Sequence, residues 1–593
     1  MSVDERVFPV ETSVAHRPGP ATTGTLHRAA GLSVAVAIVA AAVAVDPGGL
    51  RPFTSLRWLL VGLATAVAAL AVATGDRPRL PRWFAAAGLV VIASMAAAAL
   101  LVGDAATAWL GHPQRHLGVL AWLVFGAAAT TGAAFAGRPA GGRVLGRAVV
   151  VAAGITGLVS VADLLGWSPL GVSFAGGRIG GLLGQPTTLG AFAVLLLPLA
   201  VTVPAAPRAR VVLAAGLVVT VLGTQTRGAL IGLVAAGVVA LAAVRPRPRP
   251  AHALWVVAGV VVLLATPAGG RLLSVDSGRI DEWRVAARVI GAHPLLGAGP
   301  EGYRLEVNGA LDDAYVERHG REVVIDRAHS APLDVAASGG VLAGVAYVVL
   351  VAGVAGATWR LQRDDPWSLP AMAGTGAVGC LVAGLVAFPT PEVDTVAWLF
   401  AGLAVTAATG LRPAGRRVAR AGAAALVAVT LLAGATDVVA DRRLARADAL
   451  RAAGRFDEAV ASADRATGLR PDLVDGWYVA GQVAASGPSI LDLDAGIERV
   501  ESGLRCSPRD PALSDLHARL LAERAQRSRL ERDRAAALTA LDALLRDDPT
   551  NPRARELRAD LGGRRGDRTV DRTGRDGTGS APCACLTRCE TKR

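Results

Sequence analysis

Lysine is all but missing from this chain of 593 residues; the only one is Lys592, so a net charge of +13 rests on arginine. A basic balance of that kind suggests nucleic acid when it gathers in one soluble patch. Here much of it sits in short loops between apolar runs, where membrane topology explains it better. Cysteine is scarce too. Cys380 falls in an apolar run, Cys506 near the C-terminal region, and Cys583, Cys585 and Cys589 in the tail, where CACLTRC lacks the paired CxxC spacing of a zinc site. There is no GxxxxGK[ST] phosphate loop, which argues against ATP-driven transport. The first apolar run, Ala29 to Val45, lacks a small-residue cleavage site and reads as a span, not a signal peptide.

What the chain does have is hydrocarbon. Hydrophobic residues make up 52% of it, and its mean hydropathy is +0.44. Valine, alanine and leucine recur in runs of about 18–20 residues, each long enough to cross roughly 30 Å of lipid. The runs predict spans near 29–46, 56–74, 83–102, 116–136, 145–165, 187–204, 209–224, 227–244, 251–267, 333–358, 369–388, 393–411 and 419–439. Val211 to Val244 as one helix would be about 50 Å long, so it divides into two short helices meeting at Thr224-Gln225-Thr226-Arg227. The predicted fold is all-α: a polytopic membrane helical bundle of about 12–13 spans with a small C-terminal α-solenoid.

Alternate loops are arginine-rich: Arg77/Arg79/Arg82, Arg138/Arg143, Arg208/Arg210, Arg245/Arg247/Arg249, Arg360/Arg363 and Arg412/Arg416/Arg417. Positive charge marks the cytoplasmic side. A disordered tail, 1–28, is therefore expected in the cytoplasm. The membrane domain spans 29–440, its large polar loop, 268–332, lies outside, and so does everything after the last span. Residues 441–562 form tetratricopeptide-like repeats, from the spacing of Gly454, Phe456, Ala459, Ala466 and Pro471 and a second unit opening at Trp477 and Gly481. Stacked pairs offer a concave surface for an envelope protein partner, and a helical cap without ligand is an equally good reading. A disordered tail, 563–593, follows.

On the outer side, arginine is disfavoured by topology, so Arg115, Arg178 and Arg227 stand out. A guanidinium near apolar helices needs a partner, and its planar fork suits a diphosphate. Snorkelling or a backbone carbonyl accounts for any single one. In the large loop, Ile280, Trp283, Ala287 and Ile290 recur at helical spacing, with Arg279 at the start, His293-Pro294 at the end and GAGPEGY turning the chain. His329 precedes re-entry into the membrane, where an imidazole can take a proton from a hydroxyl. A solvated or structural histidine is the commoner occupant of such a loop, and His112, His116, His293 and His319 compete for the role. No pair of acids like that of a glycoside hydrolase is evident in the loop, although Asp281, Glu282 and Asp334 are placed to orient a base.

The ordered series RIGGLLGQPTTLG, TQTRGALIG, GRIDEWRVAARVIGAHPLLGAGPEGY and RAHSAPLDVAASGGVLAGVAY resembles the O-antigen ligase/polymerase family over roughly residues 110–410. The resemblance implies a glycosyltransferase C-type membrane fold and transfer of a glycan from undecaprenyl diphosphate to an acceptor hydroxyl outside the membrane. It implies no cofactor and no metal. It puts the family's arginines on Arg227 and Arg279 and its catalytic histidine on His329; Arg178 and Arg115, singled out above by topology alone, are second-tier candidates for diphosphate or sugar contacts. Ser330 stands where the family has Asn, and Gln185-Pro186-Thr187 where it commonly has Asn-Pro-Asn. Ligase and polymerase differ in acceptor alone. A transporter or flippase of lipid-linked glycan predicts charges buried mid-span or repeated bundle halves, neither of which is clear here. A non-catalytic scaffold for the repeats leaves the outer arginines unexplained.

Overall fold

The computed structural model describes residues 20–74, 80–102, 104–136, 139–168, 171–172, 174–243, 277–320, 325–410 and 419–563. Among them the secondary structure is helical, with one isolated bridge between Phe174 and Arg178 and no strand. Among the described residues nine helices are long and apolar enough to cross a membrane, and three shorter apolar ones, at Val119–Phe135, Pro186–Ala200 and Arg227–Leu241, accompany them. Together they match twelve of the predicted spans; the thirteenth, 251–267, lies outside the described residues, as do Cys583, Cys585 and Cys589. The first helix begins at Pro20, so the end of the segment expected to be disordered is helical.

Centre and rim of the bundle follow from composition. Leu369–Ala383 and Pro391–Thr409 are buried almost all round; both are rich in Ala, and the first also in Gly. Gly132 and Gly402 let the helices Val119–Phe135 and Pro391–Thr409 touch backbone to backbone, since a Cβ on either would strike the other's main chain. At the rim, Leu89, Leu100, Val211, Val212 and Leu432 point outward exposed, as lipid-facing side chains do.

The predicted break at Thr224 to Arg227 is present. The Pro207–Thr224 helix stops where Gln225 takes a left-handed conformation (φ +50°), and Arg227 opens the next helix. The loops carrying Arg51, Arg115, Arg178, Gln225 and Glu392 collect on one face of the bundle, together with the polar segment 277–330 and the C-terminal helices.

Within that segment the Ser277–Ala292 helix packs a different face from the one expected. Val285, Ala286 and Val289 join Tyr303, Ile325 and Ala328 in a small core, while Ala287 is exposed and Ile280 and Trp283 face a cavity. The GAGPEGY turn holds Gly297, Gly299 and Glu301 at positive φ and docks on the next membrane helix, where Ala298 donates to the Ala337 carbonyl (2.7 Å).

The helix Ala419–Ala452 runs unbroken from the bundle into the repeats, so the boundary expected at 441 lies inside one element. The helices Phe456–Leu469, Val474–Ala484, Ile490–Cys506, Pro511–Ser528, Glu531–Asp547 and Pro552–Gly563 then stack each on its chain neighbour. Caps punctuate them: Ser489 and Asp492 form a reciprocal capping box, and Asp510 accepts from Ala512 and Leu513.

This stack is bonded to the bundle face through buried charge. Arg51 binds Asp441 (2.9 Å) and Asp475, Arg304 binds Asp104 (3.0 Å) and Asp510, and Ser507 donates to Asp104 (2.9 Å). His116 meets Asp437 at 3.0 Å. His112, pressed beside Asp475, is driven by burial down to a pKa of about 3 and is neutral at physiological pH.

Candidate functional site

Four helix N-termini converge on the polar face: those of Pro186–Ala200, Arg227–Ala243, Ala331–Asp364 and Pro391–Thr409. Proline lies in the first turn of three of them, where its missing N–H costs nothing. Between these ends lie two neighbouring cavities.

The first, about 490 Å³, is lined by Arg178, Arg227 and Arg279. Thr187, Gln225, Thr226, Trp283 and Val386 complete much of its wall. Two segments build its floor by clasping each other. Arg178 Nε donates to the Thr224 carbonyl (3.1 Å), Ile179 N to the Gly223 carbonyl (3.2 Å), and Gln225 Nε2 to the Gly176 carbonyl (3.3 Å). Beneath them Thr224 and Thr226 share a hydroxyl contact of 3.2 Å.

The second cavity, about 270 Å³, is lined by His329, Arg57, Arg115, Arg327, Asp326 and Glu392, with Gln185, Thr188 and Phe388. Arg279 forms part of the partition between the two: its Nη1 donates to the His329 carbonyl (3.3 Å) and the Val386 carbonyl (3.0 Å). Thr187 faces one chamber and Thr188 the other, as do Ala387 and Phe388.

His329 is held in a left-handed conformation (φ +51°), which turns the chain just before Ser330 starts the helix. Its ring stands edge-on to Phe388 at 5.5 Å. Its Nδ1 faces Glu282 Oε2 at 3.3 Å; both atoms are buried and neither has a hydrogen-bond partner. The neighbouring Asp281 is occupied elsewhere, by His319 (2.9 Å), Arg284 (2.7 Å) and Arg318 (3.2 Å), and the hydrogen bond from His319 leads in holding its carboxyl below the usual range. Asp334 also supports the turn, accepting from Ala328 N at 2.7 Å.

All five residues singled out from sequence thus line the two chambers: Arg178, Arg227 and Arg279 one, Arg115 and His329 the other. Arg115 differs from the expectation in having acidic partners, Glu301 (3.4 Å) and Asp326. Burial opposes the charge of Glu301, yet Arg115, Arg327 and others together hold its carboxyl below the ordinary value.

Two arginines escaped the sequence argument. Arg57, 3% exposed, donates to the Phe53 (2.7 Å), Leu182 and Leu183 carbonyls. Arg327 lies over the Phe388 ring at 4.4 Å and donates to the Pro389 carbonyl (3.1 Å); burial lowers it to about 10, still charged at neutral pH. Arg327 was in plain view beside His329, and an arginine two residues before a candidate base was the available signal.

The arrangement suits an anionic group beside a proton acceptor. A helix end contributes about 0.3–1 kcal/mol toward an anion, and a hydrogen bond to a charged group about 1.5–3 kcal/mol, so the arginines dominate the first chamber. No curated protein matches the chain. The O-antigen ligase family model matches residues 211–348, the stretch holding Arg227, Arg279 and His329, and that similarity supports the O-antigen ligase family for this multi-helix protein.

Proposed function

We propose that the protein is a membrane glycosyltransferase that moves a glycan from an undecaprenyl-diphosphate carrier to an acceptor hydroxyl, as ligase or polymerase of a surface polysaccharide. The observation that carries this reading is the chamber that gathers Arg178, Arg227 and Arg279, with Arg279 standing between it and His329. Arg227 and Arg279 bind the diphosphate and stabilise the charge that grows on it as the bond from the anomeric carbon to phosphate oxygen breaks. Arg178 adds a further contact. The acceptor enters the second chamber, attacks the opposite face of that carbon with inversion, and passes its proton to His329. Glu282 orients the imidazole through Nδ1, leaving Nε2 for the acceptor. Arg115 shapes the acceptor side. No metal or other cofactor takes part in this scheme.

In the same reading the N-terminus is cytoplasmic. The face bearing both chambers, the 268–332 loop and the C-terminal helices is extracytoplasmic, and those helices are tetratricopeptide-like repeats that offer a surface to an envelope protein. The positive loops at Arg143 and Arg210, on the opposite face, support this orientation.

His329→Ala and Arg279→Ala are expected to leave the protein inserted but to lower transfer about 100-fold or more, with lipid-linked glycan accumulating. Purified variants assayed with extracted lipid-linked glycan decide it; normal transfer by both sinks the mechanism. In cells, accumulated short units identify a polymerase and accumulated full-length chains a ligase. An unchanged lipid-linked pool favours transport or scaffolding.

A further inference from the structure

A third cavity, about 420 Å³, lies between the polar loop and the C-terminal stack, away from both chambers. The loop contributes Asn308, Tyr315 and Ile325, and the stack contributes Tyr478, Asp515 and Arg553. Two tyrosine rings supply flat apolar faces, and the amide, carboxylate and guanidinium supply donors and acceptors around them. The Tyr478 hydroxyl already accepts from Gln482 (3.1 Å) and Arg519 (3.4 Å), and Arg519 also binds Asp515 (2.8 Å), so these groups stand preset. Asn308 makes no side-chain hydrogen bond among the described residues.

The wall connects to the proposed chemistry by two routes. From Ile325 to His329 is four residues, at most about 14 Å of chain. The Tyr315 ring packs on His319 at 4.6 Å, His319 bonds Asp281, and the next residue, Glu282, faces His329. From this geometry we infer that the third cavity is a carbohydrate subsite, shared by loop and stack, that holds sugar units distal to the reacting one. This rests on the transferase reading for its purpose. An acyl chain would leave the Asn308 amide unpaired, whereas a saccharide presents an apolar ring face and a rim of hydroxyls together. Binding energy from remote units of a substrate is available to position the reacting end.

The test uses the full chain in detergent and, as probe, oligosaccharides released by mild acid from the host's lipid-linked pool, with binding followed calorimetrically. Tyr478→Ala and Asn308→Ala, the second a milder rim change in case the first perturbs folding, are each expected to weaken binding about tenfold. Arg279→Ala is expected to lower transfer about 100-fold or more yet keep saccharide binding at the third cavity. Wild-type affinity in both cavity variants overturns the inference, as does failure of the wild type to bind the probe. Displacement of the saccharide by an envelope polypeptide cross-linked at Tyr478 overturns it too. If the transferase reading alone is wrong, the wild type transfers nothing while saccharide binding still depends on Tyr478.

Discussion

Glu282 and His329 face each other at 3.3 Å and neither atom has a hydrogen-bond partner, so in the proposed mechanism the pair gives separate work to the two ring nitrogens. A partner that fixes the tautomer without touching substrate acts on turnover, not on affinity. Glu282→Gln is therefore expected to lower kcat about 10–100-fold while the donor KM stays put. Steady-state transfer by the purified variant checks this, and an unchanged kcat removes Glu282 from the mechanism. The arginines were legible at this scale because topology makes arginine rare on one face, so Arg178 and Arg227 stood out against a low background. Arg57 did not. It opens a helix beside Arg51 and resembles any flanking charge; only the bundle shows that it turns inward onto carbonyls of the 181–183 segment. The carboxylates that engage Arg115 were equally out of reach, since Glu301 and Asp326 lie 186 and 211 residues away in the chain.

Among the elements, apolar length announced nearly every helix, and the break at Gln225 followed from a run too long for the bilayer. The face used by Ser277–Ala292 did not follow, because periodicity specifies a stripe and not what covers it. Here the cover is the folded loop itself, which takes Val285 and Val289 and leaves Ile280 and Trp283 to the arginine chamber. The helix after His329 gives the clearest test of local geometry. Ala331–Asp364 is two helical pieces joined at Gly340 (φ +86°), and a side chain there would meet the Leu295 carbonyl oxygen. Val341 N, next along, donates to the Pro294 carbonyl at 2.9 Å. Gly340→Ala is expected to destabilise the protein by on the order of 2 kcal/mol through positive φ and crowding. A lowered thermal midpoint in detergent checks it; an unchanged midpoint shows that the loop gives way freely.

For the whole molecule, the C-terminal stack is part of the face that bears both chambers, not a module on a tether. Arg304, buried between Asp104 and Asp510, ties loop, bundle and stack at one point. Removing one member of such a group strands the others without a counter-charge, at a cost of about 3–5 kcal/mol. Arg304→Ala is expected to loosen the stack, so that limited proteolysis of membrane-embedded protein clips it free at concentrations the wild type survives. Equal resistance overturns the claim. None of this interface showed in the sequence, because its pairs join residues hundreds of positions apart, 390 in the case of Arg51 and Asp441.

That interface also imposes an order on biogenesis. Asp441, Asp475 and Asp510 are synthesised after the polar loop and after nearly all of the bundle, so Arg51 is made long before either of its counter-charges and Arg304 long before the second of its two. The face that bears both chambers is finished only when the last helices arrive. A chain cut short before residue 437 carries every proposed catalytic residue and still leaves Arg51 without Asp441 and Asp475, a mark by which quality control can recognise it as incomplete.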